Sequence, residues 1–280
     1  MPKVKKRKQP VVSVPAVTVQ PSIAAQSCRR TIRQFHVLLK RRKQFEKDAE
    51  RNKRALEEID REIESLGGLE RYQEMSSLGQ EGERGGGSEK IFISWLRELD
   101  LHNPIKRSRK LQLLEVGALR PDNYKGVSSW IDNTPIDLRS RHPSIMEQDF
   151  LQLDRKENQK KWDAISLSLV LNFVPTPEDR GRMLMLAHEF LVKDGFLFLA
   201  LPLPCVSNSR YLTFEHLKSL MESIGFVEVR ERWRRNGKMG YWLYKTTTPS
   251  RSQLPFQKKS VLRQGQRNNF SVLLQPLTPI

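Results

Sequence analysis

From Lys110 onward, apolar runs alternate with segments of helical periodicity. Strands are predicted at 111–116, at 127–131 or on to 138, at 144–146, at 162–174 and at 195–203. Helices are predicted from Pro177 to Asp194–Gly195 and from an N-cap at Thr213 to Gly225, which suits a left-handed C-terminal position. Continuous apolar strands separated by helices favour a mainly parallel sheet covered on both faces. The last two strands, 226–234 and 240–247, flank a short loop and predict an antiparallel edge hairpin.

The N-terminal part is helical instead of alternating. Between Cys28 and Leu66, apolar residues recur at helical spacing, which predicts a long helix that ends at Gly67–Gly68. A Gly-rich, acidic segment (67–87) and a second helix, Glu89–Leu99, follow. The basic face of the long helix fits contact with a phosphate backbone. It fits equally well a solvent-exposed helix that is stabilised by salt bridges along its surface.

The formal net charge of +17 is concentrated at the two ends of the 280-residue chain. Residues 1–54 carry +13 and residues 247–280 carry +5, whereas residues 117–246 carry only +3. The predicted units are a disordered basic tail (1–27), a helical extension with a Gly-rich loop (28–109), an α/β domain (110–247) and a second disordered basic tail (248–280). The cluster Lys3–Lys8 suits a nuclear address, a nucleic-acid contact or a solvated tail. This charge favours an anionic partner, with nucleic acid first.

The composition excludes several classes of protein. Two cysteines, Cys28 and Cys205, are too few for a disulfide framework or a Cys-rich zinc site. The best apolar run, Phe196–Val206, is about half of the roughly 18 residues that a membrane span needs. The basic N-terminus lacks the apolar stretch of a signal peptide. The five histidines are scattered, without metal spacing or a Ser–His–Asp set. We therefore expect a soluble intracellular protein with no metal site.

Candidate ligand-binding residues follow three successive predicted strands, where ligands bind in parallel α/β sheets. Gly117 follows the first strand, and Asp137 comes 20 residues later, at an offset where an acid can accept hydrogen bonds from both ribose hydroxyls. Asp137 alone suits a solvated turn equally well. Asp149 and Phe150 offer an acceptor and an aromatic face to an adenine. Glycines are too few for a pyrophosphate cradle, so adenosine without phosphates fits better than NAD, and S-adenosylmethionine is the commonest such cofactor.

The end of the strand at 162–174 supplies a possible base-binding pair. The Asn172 side-chain carbonyl suits an exocyclic amine, and the Phe173 ring suits stacking on a planar base. Alternatively, Phe173 belongs to the core and Pro175 merely starts the next helix.

Seven segments within residues 28–246 form a recognisable set: RTIRQFHVLLK, GGLERYQEMSSLGQ, the helix around Ile93–Leu99, Gln148-Asp149-Phe150, WDAISLSLVLNFVPTPEDRGRML, LVKDGFLFLALPLPCVSNSRY and GFVEVRERWRRNGKMGYWLYK. Together they resemble the fungal 25S ribosomal RNA adenine-N1 methyltransferase family. The resemblance implies the Rossmann-like class I methyltransferase fold, with a mainly parallel seven-stranded sheet and an antiparallel edge hairpin. It also implies S-adenosylmethionine as methyl donor, large-subunit ribosomal RNA or a pre-ribosome as substrate, 1-methyladenosine as product, and the nucleus and nucleolus as location.

The resemblance also implies roles for four residues. Gly117 matches the family's cofactor-binding glycine, Asp137 its ribose-binding acid, and Asp149 with Phe150 its adenine-side pair. Two segments depart from the family's pattern. The first loop, E-V-G-A-L, lacks the second and third glycines of the general methyltransferase loop, and the linker RGGGSEK lacks an acid after two glycines.

Direct transfer of a methyl group from a sulfonium to adenine N1 needs neither a metal nor a covalent enzyme intermediate, because the methyl group is already activated. Catalysis then depends on positioning. We expect Asn172 to hold the exocyclic amine, Phe173 to form a stacking wall, and residues 29–54 and 230–235 to hold phosphates. The alternatives are a non-catalytic S-adenosylmethionine sensor or adaptor and a protein or small-molecule methyltransferase, neither of which uses the basic ends. A monomer is favoured.

Overall fold

The computed structural model describes residues 31–68, 87–247 and 255–277, apart from 32, 33, 36, 40, 43, 44, 49, 106, 107 and 141. The predictions for the basic tail 1–27, for its Lys3–Lys8 cluster and for most of the Gly-rich segment lie outside the described residues. Within the described ranges, no helix has the length and apolar character needed to cross a membrane.

Seven strands form one mixed sheet, which confirms the predicted fold class. They are β1 (Leu111–Val116), β2 (Ile131–Asp137), β3 (Met146–Glu147), β4 (Trp162–Ser168), β5 (Leu191–Pro202), β6 (Phe226–Trp233) and β7 (Met239–Thr246). Their order is β3-β2-β1-β4-β5-β7-β6. Strands β1 to β5 pair in parallel, and β7 runs antiparallel to both β5 and β6. The strand order reverses between β1 and β4, which is the ligand-binding point of such sheets.

Helices cover both faces of the sheet. The helices with described bounds are α1 (Lys53–Ser65), α2 (Ser88–Glu98), α3 (Arg155–Asn158), α4 (Pro177–Phe190), α5 (Pro204–Ser207) and α6 (Phe214–Ile224), with 3-10 turns at Glu46–Asp48, Lys125–Val127 and Phe150–Gln152. The buried residues of α1 belong to a cluster separate from those on the sheet. Successive strand side chains point to opposite faces, so β5 places Leu197 and Leu199 in the cluster under α4 and α6. Phe198 lies in the cluster under α2, where its ring centroid is 4.7 Å from that of Phe92.

The predicted ends of α6 are confirmed. The Thr213 hydroxyl accepts a hydrogen bond from the His216 backbone N–H at 3.1 Å, as an N-cap does. Gly225 ends the helix with φ of 104°, a left-handed conformation that suits glycine.

Two predicted boundaries near the sheet centre are wrong. β4 ends at Ser168, six residues early, because Leu169 adopts φ of 60° and leaves the strand. α4 ends at Phe190, and β5 begins at Leu191, which pairs with Trp162 of β4. The turn expected to end the helix at Asp194–Gly195 lies inside the first part of β5, where Asp194 has φ of 62°.

The predicted single helix from Cys28 to Leu66 is instead a pair of helical segments folded against each other. The described residues within 31–45 are helical, and α1 follows after the turn near Asn52. Phe35 and Ile63 belong to one buried cluster, although a straight helix would separate them by about 42 Å. An ion pair of 2.7 Å between Arg42 and Asp60 also joins the two segments.

The prediction of a disordered basic tail at 248–280 is corrected for residues 255–277, which pack against the α/β domain and are called the C-terminal strap below. The strap buries four apolar side chains: Phe270, Val272, Leu273 and Leu274. Its Leu273 N–H donates to the Pro177 carbonyl at 2.9 Å, at the start of α4. Its Arg263 side chain donates to the carbonyls of Val206, Ser207, Ser209 and Leu212. This segment is basic and polar in composition, which favoured disorder. Its few apolar residues nevertheless pack into the core cluster that includes α4, and composition alone does not reveal that contact.

Candidate active site

A cavity of about 410 Å³ opens at the carboxyl ends of β1 and β4. Its walls come from the end of β1 (115–117), the segment 120–124, the end of β4 (166–169) and the first residues of α2 with the preceding glycine (87–90). This volume is within the usual range of small-molecule sites, about 300–1,000 Å³. The cavity therefore lies where the sheet topology predicts a ligand.

Glu115 is a buried acid in the cavity wall. Its side chain is 7% exposed, and its two carboxylate oxygens accept hydrogen bonds from the side-chain amides of Asn123 at 2.6 Å and Asn133 at 2.8 Å. Burial raises the pKa of Glu115, the two hydrogen bonds oppose that rise, and the nearby Glu89 adds to it. Sequence reasoning did not select Glu115, since its two partners come from segments that only the fold brings together.

Gly117 lines the cavity at the turn that leaves β1. Its φ is 74°, and a Cβ there would come within 2.6 Å of Cγ2 of Val170. The N–H groups of Gly117 and Ala118 both donate to the Ile136 carbonyl, at 2.8 and 3.0 Å. The turn therefore needs a glycine both for its conformation and for the close approach of the loop after β4.

The N-terminus of α2 closes another side of the cavity. Ser88 and Ser168 are hydrogen-bonded through their hydroxyls at 2.8 Å, across 80 residues of sequence. Ser166 and Tyr124 also line this wall and are hydrogen-bonded to each other, and burial raises the pKa of Tyr124 well above its ordinary value. The linker glycines preceding Ser88 were the only sequence signal for this wall.

The other predicted cofactor residues stand at the same edge of the sheet, outside the cavity lining. Asp137 ends β2, and its carboxylate accepts the Arg139 N–H at 2.9 Å; burial raises its pKa, and Glu147 adds to the rise. Asp149 caps the following 3-10 turn by accepting a hydrogen bond from the Leu151 N–H at 2.8 Å. Their roles toward a cofactor stay predictions.

Phe150 lies in the hydrophobic core. Its ring is 2% exposed and meets Phe190 edge-to-face, with ring centroids 5.7 Å apart. Core packing accounts for the side chain, and its predicted place beside an adenine stays a prediction.

Asn172 and Phe173 lie together in the loop after β4. The Asn172 Oδ1 atom is buried, and no donor reaches it within the described part of the chain. The Phe173 ring beside it is 40% exposed, so it is not a core residue. A buried acceptor left without a donor is costly, and it is therefore a good candidate for contact with a ligand.

Within the described ranges, no group of three His, Cys, Asp or Glu side chains is placed so that it could hold a metal ion. The cavity lining thus provides a buried carboxylate, hydroxyls and a glycine turn, whereas the Asn172–Phe173 pair lies outside that lining, in the loop after β4.

The strand order, with the antiparallel strand β7 between β5 and β6, and a cavity at the ends of β1 and β4 are those of the class I methyltransferase fold. Within that class, the chain belongs to the family described as 25S rRNA (adenine(2142)-N(1))-methyltransferase, Bmt2, whose model matches residues 57–272. The resemblance stated from the sequence is thereby confirmed.

Two curated relatives are similar over most of the chain. The 25S rRNA adenine-N(1) methyltransferase of Schizosaccharomyces pombe is 33% identical over 87% of this chain and 90% of its own length. The 25S rRNA (adenine(2142)-N(1))-methyltransferase of Saccharomyces cerevisiae is 36% identical over 76% of this chain and 62% of its own length. Among solved structures, the DszA carbon methyltransferase has a TM-score of 0.47 and 16% identity over 65% of this chain and 59% of that one. Both relatives are named as enzymes, which favours an enzyme over a non-catalytic sensor.

Proposed function

We propose that the protein transfers a methyl group from S-adenosylmethionine to N1 of an unpaired adenine in 25S ribosomal RNA, during ribosome biogenesis in the nucleolus. Membership of the family, whose described activity is this reaction, supports the proposal. The nucleolar location is inferred from the substrate and from the basic N-terminal sequence.

The observation that carries the choice of an adenine is the Asn172–Phe173 pair. Adenine presents a donor, its N6 amine, directly beside its N1 acceptor. The donorless Asn172 Oδ1 can accept from N6, and the exposed Phe173 ring can stack on the base. Because N1 lies on the Watson–Crick edge, the base must be unpaired or flipped out to reach this pair.

The cavity residues fit the cofactor. When bound, S-adenosylmethionine supplies an activated methyl group and leaves as a neutral thioether. The buried carboxylate of Glu115 places negative charge at the wall facing a cationic ligand, and Gly117, with its positive φ, forms the turn that lines the cavity beside it. Asp137, at the end of the adjoining strand β2, would accept hydrogen bonds from the ribose hydroxyls.

This chain's own residues then contribute positioning. Asn172 fixes the base in plane through N6, and Phe173 limits its tilt. Holding two reactants in line supplies a large part of the rate enhancement in such transfers.

The proposal is tested by incubating the protein with labelled S-adenosylmethionine and unmodified 25S rRNA, then identifying the labelled nucleoside by mass spectrometry. We expect 1-methyladenosine. Replacing Asn172→Ala should lower kcat about 10- to 100-fold with unchanged cofactor affinity, as expected for one lost hydrogen bond that strengthens as the base becomes cationic.

Asn103→Ala is the matched control, since Asn103 lies beyond the far end of α2 and its side chain makes only local hydrogen bonds among the described residues, to Asp100 and from the Ile105 N–H. It should retain full activity. Label in protein instead of RNA, or full activity of the Asn172 variant, would contradict the proposal.

A further inference from the structure

The β6–β7 hairpin lies at the same edge of the sheet as the candidate active site. Pro202, at the carboxyl end of β5, pairs with Met239, and Trp233 at the end of β6 pairs with Gly240. β5 is parallel to β4, so the connection between Trp233 and Met239 projects from the carboxyl edge. Three strand spacings separate β4 from β6, which is about 14 Å.

Trp233 is an exposed aromatic side chain held in a fixed orientation. Its ring is 40% exposed and stacks on Phe214, with centroids 4.6 Å apart and planes 25° apart. Its indole N–H donates to the Glu231 carboxylate at 3.3 Å. Phe214 therefore supports one side of the ring and leaves the rest to solvent.

Four exposed basic residues lie close to Trp233 in the sequence: Arg232, Arg234, Arg235 and Lys238. In the described portion of the protein, none of the four has an ion-pair partner. Arg230, further back on β6, instead pairs with Glu98 at 3.7 Å. Glu231 is the only acid between Arg230 and Lys238. A local concentration of unpaired positive charge raises the local concentration of a polyanion.

We propose that Trp233 with Arg232, Arg234, Arg235 and Lys238 forms a binding surface for single-stranded RNA, here called the hairpin surface. It rests on the proposed function and extends it: the hairpin surface holds the RNA that flanks the target adenine. A base stacks on Trp233, and the four cations contact phosphates on either side.

Two features favour single-stranded RNA over an acidic peptide or a duplex. Stacking on a rigid exposed ring needs an unpaired base, which a peptide lacks and a duplex does not offer. The distance of about 14 Å from β4 lets one RNA strand contact both the hairpin surface and the Asn172–Phe173 loop.

The test measures binding of the full chain to a fluorescent 12-nucleotide unstructured RNA by anisotropy, over a range of salt concentrations. Trp233→Ala should weaken binding about 5- to 150-fold, the range found for losing one stacked base. The double variant Arg234→Gln/Arg235→Gln should reduce the slope of log K against log salt by about 1.4, the value for two lost phosphate contacts on a single strand.

Three controls keep the result interpretable. Trp233→Phe should retain most binding, because it keeps an aromatic ring. Lys193→Gln removes an exposed cation from the first part of β5, at the opposite edge of the sheet, and should leave the affinity unchanged. Cofactor affinity, measured by calorimetry, should be the same in every variant.

Wild-type RNA affinity in both the Trp233→Ala and the double variant would overturn the proposal. So would an equal loss of affinity for a 12-base-pair duplex on Trp233→Ala, or displacement of the RNA by a poly-glutamate peptide that itself binds more tightly. Formation of 1-methyladenosine is measured in a separate assay. If RNA binds through the hairpin surface but no 1-methyladenosine forms, the proposed function is contradicted and the hairpin surface is not.

Discussion

Replacing Arg180 with methionine tests whether a single buried guanidinium joins the C-terminal strap to the loop after β4, which carries Asn172 and Phe173. Arg180 is 2% exposed, and burial lowers its pKa to about 10, so it is charged at neutral pH. It donates to the carbonyls of Val174 at 2.9 Å, Pro175 at 3.2 Å and Ser271 at 2.8 Å. Its guanidinium carbon also lies 4.4 Å from the centre of the Phe270 ring.

The expected cost follows from these contacts. Methionine fills the aliphatic part of the space but leaves three carbonyls without their donor. An unsatisfied buried acceptor costs about 1–3 kcal/mol, and loss of the buried charge offsets part of the total, so we expect a net destabilisation of about 3 kcal/mol. For a chain of this size, that corresponds to a decrease in Tm of about 6–12 °C.

The measurement is urea unfolding followed by tryptophan fluorescence, together with limited proteolysis of residues 255–277. Arg182→Met is the matched control on the same helix, because Arg182 donates one hydrogen bond, to the Leu151 carbonyl at 2.9 Å. It should lose less than half as much stability. If both variants lost the same stability, or Arg180→Met stayed within about 0.5 kcal/mol of the wild type, the assigned role of Arg180 would be refuted.

Two other predictions concern Glu115 and Gly181. Glu115→Gln should weaken S-adenosylmethionine binding about 10-fold or more in calorimetry, because it removes a negative charge from the cavity wall. Burial raises the pKa of Glu115, so the wild-type affinity should fall as pH decreases through a range above that of an ordinary glutamate, when the carboxylate gains a proton. The glutamine variant should lack this pH dependence, and a shared profile would remove Glu115 from the site. Gly181→Ala should lower Tm and speed proteolysis of the strap, because the added Cβ would overlap the Leu273 carbonyl. Gly126→Ala, with open space around the new methyl, should match the wild type.

Local features of the chain were predicted well. β1 was placed at its observed bounds because the mostly apolar run 111–116 is preceded by basic residues and followed by Gly117. The caps of α6 follow from side-chain chemistry at Thr213 and from the freedom of Gly225 to adopt positive φ. Gly117 was also expected directly after β1, where it lines the cavity, and its role toward a cofactor stays a prediction.

The candidate site was only partly predictable. In the sequence, Glu115 is an isolated acid in a mostly apolar strand. Its burial in the cavity wall depends on hydrogen bonds from Asn123 and Asn133, which lie 8 and 18 residues away. The wall formed by Ser88 depends on contact with Ser168, across 80 residues. Side-chain exposure, which distinguishes the buried ring of Phe150 from the exposed ring of Phe173, cannot be derived from either residue's immediate neighbours.

The sequence by itself determined the alternation of strands and helices, the turn glycines and the family to which the chain belongs. Each of these depends on periodicity, on backbone preference or on local motifs. Only the tertiary structure decided that the N-terminal helix folds back on itself, that residues 255–277 pack against α4, and that Arg180 joins them to the loop after β4. The physical reason is that these features are contacts between distant segments, whose free energy depends on burial by a partner surface that no local pattern records.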